Sequence, residues 1–312
     1  MITNNDRRGI QLSFAWIFAI VAGAFIIFLA VYGVTKVIDT GGQSNSAQTG
    51  KEIGVLLNPL ETGFGESTTT LLSVSVDTQI QNRCSDLGKF GVQTISVSQK
   101  NFGKWSPTNL GSSFENKYLF SENNIEGTDF FLFSKSFNFP FKVADLVYIT
   151  SSKDNYCFID SPSEIVEELN DLNQDNIFTA NCPSGSINVC FDSLDDSLQE
   201  CDVQVRRGRK EVGKDGTLVY FETDALMYAA IFSDADIYEC QVQRLMKRTG
   251  ELLSIYDGKD RIISEQGCNS DFDLLSLRSA ITDVKSSEEI FTVVGEVNNL
   301  DRDNDRARCQ LW

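Results

Sequence analysis

Eight cysteines and a scatter of carboxylates are the residues of this chain best suited to chemistry, and no histidine accompanies them. The cysteines are Cys84, Cys157, Cys182, Cys190, Cys201, Cys240, Cys268 and Cys309. Structural zinc sites use cysteine knuckles two to four residues apart. Here the closest two, Cys182 and Cys190, have seven residues between them. An even set with such wide spacing reads as disulfides formed in an oxidising compartment. Local loop closure favours Cys182 with Cys190 or Cys201, and tying of C-terminal helices favours Cys240 with Cys268 or Cys309.

Without histidine, Ser-His-Asp and Cys-His constellations, zincin motifs and an imidazole base are all excluded. Hydrolysis would have to run on Ser-Lys or on paired carboxylates, for which Asp154, Asp160, Glu164, Glu167 and Glu168 are the candidates. Gly63-Phe64-Gly65 lacks the lysine and spacing of a phosphate loop and reads as an ordinary loop. Asp301-Arg302-Asp303-Asn304-Asp305 offers alternating oxygens, but Arg306 stands where a calcium loop needs glycine, so it reads as a solvated helix end. Arg206, Arg207, Arg209 and Lys210 form a basic knot, either a docking patch for an acidic partner or a charged hairpin tip. No catalytic residue, cofactor or metal site is expected.

The address of the chain is easier to read. From Phe14 to Val34 runs an apolar stretch without a charge. At about 1.5 Å per residue, such a helix spans the ~30 Å hydrocarbon core of a bilayer. Ala22-Gly23-Ala24 resembles a signal-cleavage site, but Phe25-Ile26-Ile27-Phe28-Leu29 follows, which favours a retained anchor. Arg7 and Arg8 before the run place the N-terminus inside by the positive-inside rule, and all the cysteines then lie outside. Trp16 and Tyr32 fit the headgroup levels. Ala15, Ala19 and Gly23 recur every four residues, a spacing at which membrane helices pack closely, so a homo-oligomer is expected.

The elements divide the chain into a cytoplasmic tail at 1–9, a membrane helix at 10–36 and a glycine-rich linker at 37–50. A β-rich region at 51–221 and a helical region at 222–312 packed on it follow. The formal charge is −17; the first fifty residues are net +1, so the remainder carries −18 and disfavours nucleic acid. Strands are expected at Ile53–Leu57, Leu71–Val76, Val92–Ser98, Phe130–Phe133 and Leu146–Thr150. Tyr156–Asp160, a helix opened by a Ser161-Pro162-Ser163-Glu164 capping box, and Asn176–Ala180 read as a β-α-β unit. Ile187–Phe191, Val203–Val205 and Thr217–Phe221 read as further strands. Tyr238, Val242, Leu245, Met246, Leu253 and Tyr256 share one helical face, with Ser233 as its N-cap. Helices follow at Leu274–Val284 and, opened by Ser286-Ser287-Glu288-Glu289, at Ile290–Val297. The fold class is α+β: a membrane helix followed by a disulfide-bonded ectodomain, β-rich first and helical last.

Arg7-Arg8-Gly9 followed by Ile10-Gln11-Leu12-Ser13-Phe14 and the long apolar helix resembles the N-terminus of archaeal type IV pilin-like proteins. The resemblance implies cleavage after Gly9 by a dedicated peptidase and packing of the freed helix into a filament core. The whole chain, with its Cys309-Gln310-Leu311-Trp312 ending, is similar to archaeal single-pass surface proteins, a likeness that carries no activity. The expected function is that of a membrane-anchored extracytoplasmic protein with a binding, assembly or surface-structural role, its partners the lipid bilayer and a protein at the cell surface. The alternatives are a pilin-like filament subunit and an exported hydrolase using carboxylates or Ser-Lys.

Overall fold

Apolar and polar residues that alternate along long strands build the larger of two sheets. The structure, a computed structural model, describes residues 14–34, 69–101, 103–106, 111–192, 201–268 and 272–312. The tail, the linker and the strand expected at Ile53–Leu57 lie outside the described residues. Two compact units divide at Asn45. The first contains α1 (Phe14–Val34).

In the second unit, β1 (Thr69–Ser85), β2 (Val92–Asn101), β3 (Lys104–Trp105), β4 (Gly111–Phe114), β5 (Leu119–Phe120), β6 (Asn124–Asn138) and β7 (Lys142–Ser151) form one sheet. The strand order is β3-β2-β1-β6-β7-β5, with β4 also on β2. All pairs are antiparallel except β5 with β7. Because side chains alternate between faces, Ile80, Ile95, Leu119, Phe130, Leu132 and Ile149 collect on one face. Phe133, Phe137, Leu146 and Tyr148 collect on the other, against the helices.

Two buried amides curl this sheet around its smaller cluster. The Gln93 side chain donates to the Leu119 carbonyl at 2.7 Å and accepts from the Leu119 N–H at 2.9 Å. Asn82 donates to the same carbonyl at 3.2 Å and accepts from Gln93 at 2.8 Å. Side chains thus supply the two bonds that a neighbouring strand would make, and β5 is drawn back to β1 and β2.

The second sheet holds β8 (Tyr156–Ile159), β9 (Ile177–Phe178), β10 (Ile187–Phe191), β11 (Val203–Arg206), β12 (Glu211–Lys214) and β13 (Thr217–Tyr220). Its order is β13-β12-β11-β10-β8-β9, with β11, β10, β8 and β9 parallel and β12 and β13 antiparallel. The expected β-α-β unit is present, with α2 (Ser163–Asp171) crossing from β8 to β9 and burying Ile165 and Leu169. Its capping box does not form: Pro162 takes the N-cap position, and no side chain caps the helix.

α3 (Asp224–Phe232) is apolar on every side and buries all of its residues from Ala225 to Phe232. A helix of that composition belongs inside a core, and it packs on both sheets. Phe232 makes the joint. It lies edge-on to Phe133 at 5.6 Å in the first sheet and to Tyr156 at 4.9 Å in the second. α4 (Ala235–Glu265) follows, burying Tyr238, Val242, Leu245, Met246 and Leu253 as its spacing predicts. Ser233 is not its N-cap. Asp234 occupies that position, and its carboxylate instead receives the Asn123 N–H at 2.8 Å. α5 (Leu274–Thr282) and α6 (Phe291–Arg306) complete the chain. The box expected ahead of α6 is also absent: Ser287 bonds Glu239 of α4 and receives the Tyr220 N–H at 2.9 Å, and a 3-10 turn precedes α6. The class is therefore α+β, as the pattern predicts, and both sheets are mixed.

Candidate functional site

α1 has 21 residues and a mean hydropathy of 2.7. It is long and apolar enough to cross a membrane or to serve as an export signal. Ala15, Ala19 and Gly23 fall on one side of it at the expected four-residue spacing, and nothing lies within 4 Å of the place where a Gly23 side chain would begin. Phe28 and Tyr32 stack one turn apart at 6.3 Å.

All eight cysteines are paired: Cys84–Cys240, Cys157–Cys182, Cys190–Cys201 and Cys268–Cys309. The set is as expected, but both expected pairings are corrected. Cys240 and Cys268 sit 28 positions apart at opposite ends of α4, a separation of about 40 Å along a helix. No bridge spans that distance. Cys240 instead meets Cys84 of β1, clasping the long helix to the first sheet. Cys182 follows β9, and β8 lies between β9 and β10. It therefore meets Cys157 of β8 and leaves Cys190 to Cys201.

The basic knot sits at the β11–β12 turn, where every cation has an acid. Arg206 pairs with Glu211 at 2.9 Å, Arg207 with Glu164 at 2.6 Å and Lys210 with Glu222 at 2.5 Å. Arg209 reaches Glu211 at 3.8 Å. The Glu164 carboxyl is held below the usual range by its own backbone N–H at the start of α2 and by the Arg207 guanidinium. Charges that are spent on neighbours leave less field for a partner.

The five candidate carboxylates fall into different surroundings. Glu168 bridges Lys135 of β6 and the Tyr228 hydroxyl of α3, the latter at 3.1 Å. Lys135 also lies 5.4 Å over the Tyr228 ring. Burial, then Glu168, pushes the Tyr228 hydroxyl far above its ordinary range, so it remains a proton donor and not a nucleophile. Asp154, in the β7–β8 turn, is raised by burial first and by Glu122 second, against Lys153 and Lys214. Asp160 and Glu167 are exposed. Among the described residues no group of three or more histidines, cysteines or carboxylates could hold a metal ion. Asp301–Asp305 lies on α6, and Asn304 within it holds the chain end, accepting from the Leu311 N–H at 2.6 Å and donating to the Trp312 carbonyl at 2.9 Å. Gly63–Gly65 lies outside the described residues.

Sequence reasoning missed Arg244, a fully buried cation on the packed face of α4. Its donors go to the carbonyls of Phe90, Phe114, Glu115 and Lys117 at 2.9–3.2 Å, and to Gln241 at 2.6 Å. The signal was available, since Gln241 and Arg244 share the apolar stripe of Tyr238 and Leu245. Polar residues at such positions need internal partners.

Comparison with protein-family models, curated proteins and solved structures yields no match.

Proposed function

We propose that this chain is a single-pass membrane protein with its N-terminus in the cytoplasm and its disulfide-bonded α+β unit outside, serving binding, assembly or surface architecture rather than catalysis. The observation that carries the proposal is the conjunction of α1, uncharged and apolar throughout, with eight downstream cysteines all joined in pairs. Disulfides persist where the compartment is oxidising, and a helix like α1 delivers the chain there. Arg7 and Arg8 support the orientation. The candidate acids support a structural role: Glu164 and Glu168 are bound to Arg207 and Lys135.

The test is topological. Thiols should resist a membrane-permeant alkylating reagent until reduced, and protease added to intact cells should degrade the second unit. Free thiols shielded from external protease would reverse the orientation.

A second proposal, a pilin-like filament subunit, draws its support from Arg7-Arg8-Gly9 directly ahead of the apolar helix. It requires a mature chain that begins at Ile10, which N-terminal mass spectrometry reads directly.

A further inference from the structure

β1 is longer than its partner on one side. On the edge facing β2, pairing starts at Thr78, opposite Gln99, and runs to Ser85. On the other edge, Thr69–Ser73 already pairs with Phe133–Asp129 of β6. Thr69–Ser73 is thus held extended by β6, while among the described residues no strand pairs with its outer edge. Two of the other sheet ends are met by side chains. β5 is met by the Gln93 amide, and the Tyr220 N–H of β13 by Ser287.

An unpaired row of backbone groups is a template for another strand, and proteins usually blunt it with lysine, proline or charge. Thr69-Thr70-Leu71-Leu72-Ser73-Val74-Ser75-Val76 contains none of these and no glycine, the composition that favours strand addition. Leu72 turns inward at 8% exposure, while Leu71 stands 53% exposed on the opposite face.

We propose that this edge pairs with the same edge of a second copy, antiparallel about Leu71, so that the first sheet continues across a two-fold dimer. Such an axis sets Leu71 against Leu71, apolar facing apolar, and Thr69 against Ser73, whose hydroxyl donates to Asp129 of β6 at 2.6 Å. The chain carries −17, so copies repel over most of their surface and an uncharged strip is where approach costs least. A five-residue edge buries less than a free dimer needs. Two copies held in one membrane gain the local concentration that makes a short edge sufficient. In that respect the inference rests on the retained anchor.

The test uses the full-length chain in its membrane carrying Leu71→Cys, with Leu87→Cys as control. Leu87 is 78% exposed but lies in the β1–β2 turn, off the edge. Directly opposed strand positions suit a disulfide, so mild oxidation should link Leu71→Cys chains roughly tenfold more than the control. Leu71→Lys, which sets a cation against its own copy, should lower the dimer fraction without altering the melting temperature. Equal linking of the two cysteine variants, an undisturbed dimer in Leu71→Lys, or linkage of position 71 to a different protein would each overturn the proposal. Intact mass of the same sample keeps the failures apart. A chain lacking α1 that still links preserves the pairing and sinks the anchor. One that keeps α1 and does not link sinks the pairing alone, and one that lacks α1 and does not link sinks both.

Discussion

Arg244 stacks on Tyr118, its guanidinium carbon 4.9 Å from the ring centre, in a buried site where its hydrogen bonds go to main-chain carbonyls and one amide. Burial pulls the guanidinium below its ordinary range, and Tyr118 and Glu115 oppose the shift. Arginine keeps its charge throughout the physiological range regardless. The group therefore acts as a fixed cationic staple, gathering the loops before β2 and β5 onto α4.

Replacement of Arg244 by methionine keeps much of the volume and leaves four carbonyls without a donor. The expected loss is about 3 kcal/mol or more, since each buried unpaired group costs about 1–3 kcal/mol. Gly91→Ala should damage the same site by a different route. Gly91 has φ +63°, and an added carbon would meet the Ser85 carbonyl at 2.6 Å and Arg244 Cγ at 2.8 Å. Urea denaturation of both variants reads the two losses; a midpoint unchanged in Arg244→Met would show that the staple is not needed.

Phe232→Ala opens a hole where the two sheets meet. A phenylalanine truncated in a packed core costs about 3–5 kcal/mol, and here rings from both sheets lose their contact at once. Calorimetry should show a large drop in melting temperature, while Phe291→Ala, at a residue 37% exposed, should lower it far less.

Removal of the Cys84–Cys240 pair should cost more than removal of Cys190–Cys201. The bridges close loops with sequence separations of 156 and 11. On the chain-entropy account the longer loop contributes about 5 kcal/mol and the shorter about 3 kcal/mol. Double Cys→Ala variants compared by denaturant midpoint give the order directly, and a reversed order would assign the stabilisation to native contacts.

Asp154 makes stability depend on pH in the direction opposite to a salt-bridged acid. Its carboxyl pKa is raised by burial and by Glu122, so the native state holds its proton when the unfolded state has released one. Stability from this group is therefore complete below the ordinary aspartate range and falls as pH rises through the raised value. Asp154→Asn should match the parent near pH 3 and exceed it at pH 7 in melting temperature. A gap that is constant with pH would place the effect elsewhere.

Legibility followed the range of the interactions. Period-2 and period-3.6 patterns revealed β2, β6, β7, β8, β10, β11 and the buried face of α4, because each pattern records which side faces a core. β12 was missed although Asp215-Gly216, with φ values of +51° and +72°, is the two-residue turn expected of a hairpin. The capping boxes failed because Ser287 found a stronger partner in Glu239 and because the backbone at Pro162 had already set the start of α2. Disulfide partners and the Gln93–Leu119 bridge join positions distant in sequence, and no local pattern encodes them. The place of Arg244 on the apolar stripe of α4 was legible and was overlooked; its carbonyl partners, distant in sequence, were not legible.

The clasp between Cys84 and Cys240 also governs how the molecule bears load. Tension entering from the N-terminal side runs along nearly the whole of β1 to Cys84 and then crosses two sulfur atoms directly into α4. The 155 residues between the two cysteines carry none of the strain, so most of both sheets cannot be pulled out while that bond is intact. Fully drawn, such a stretch would measure about 500 Å, and it is withheld from extension.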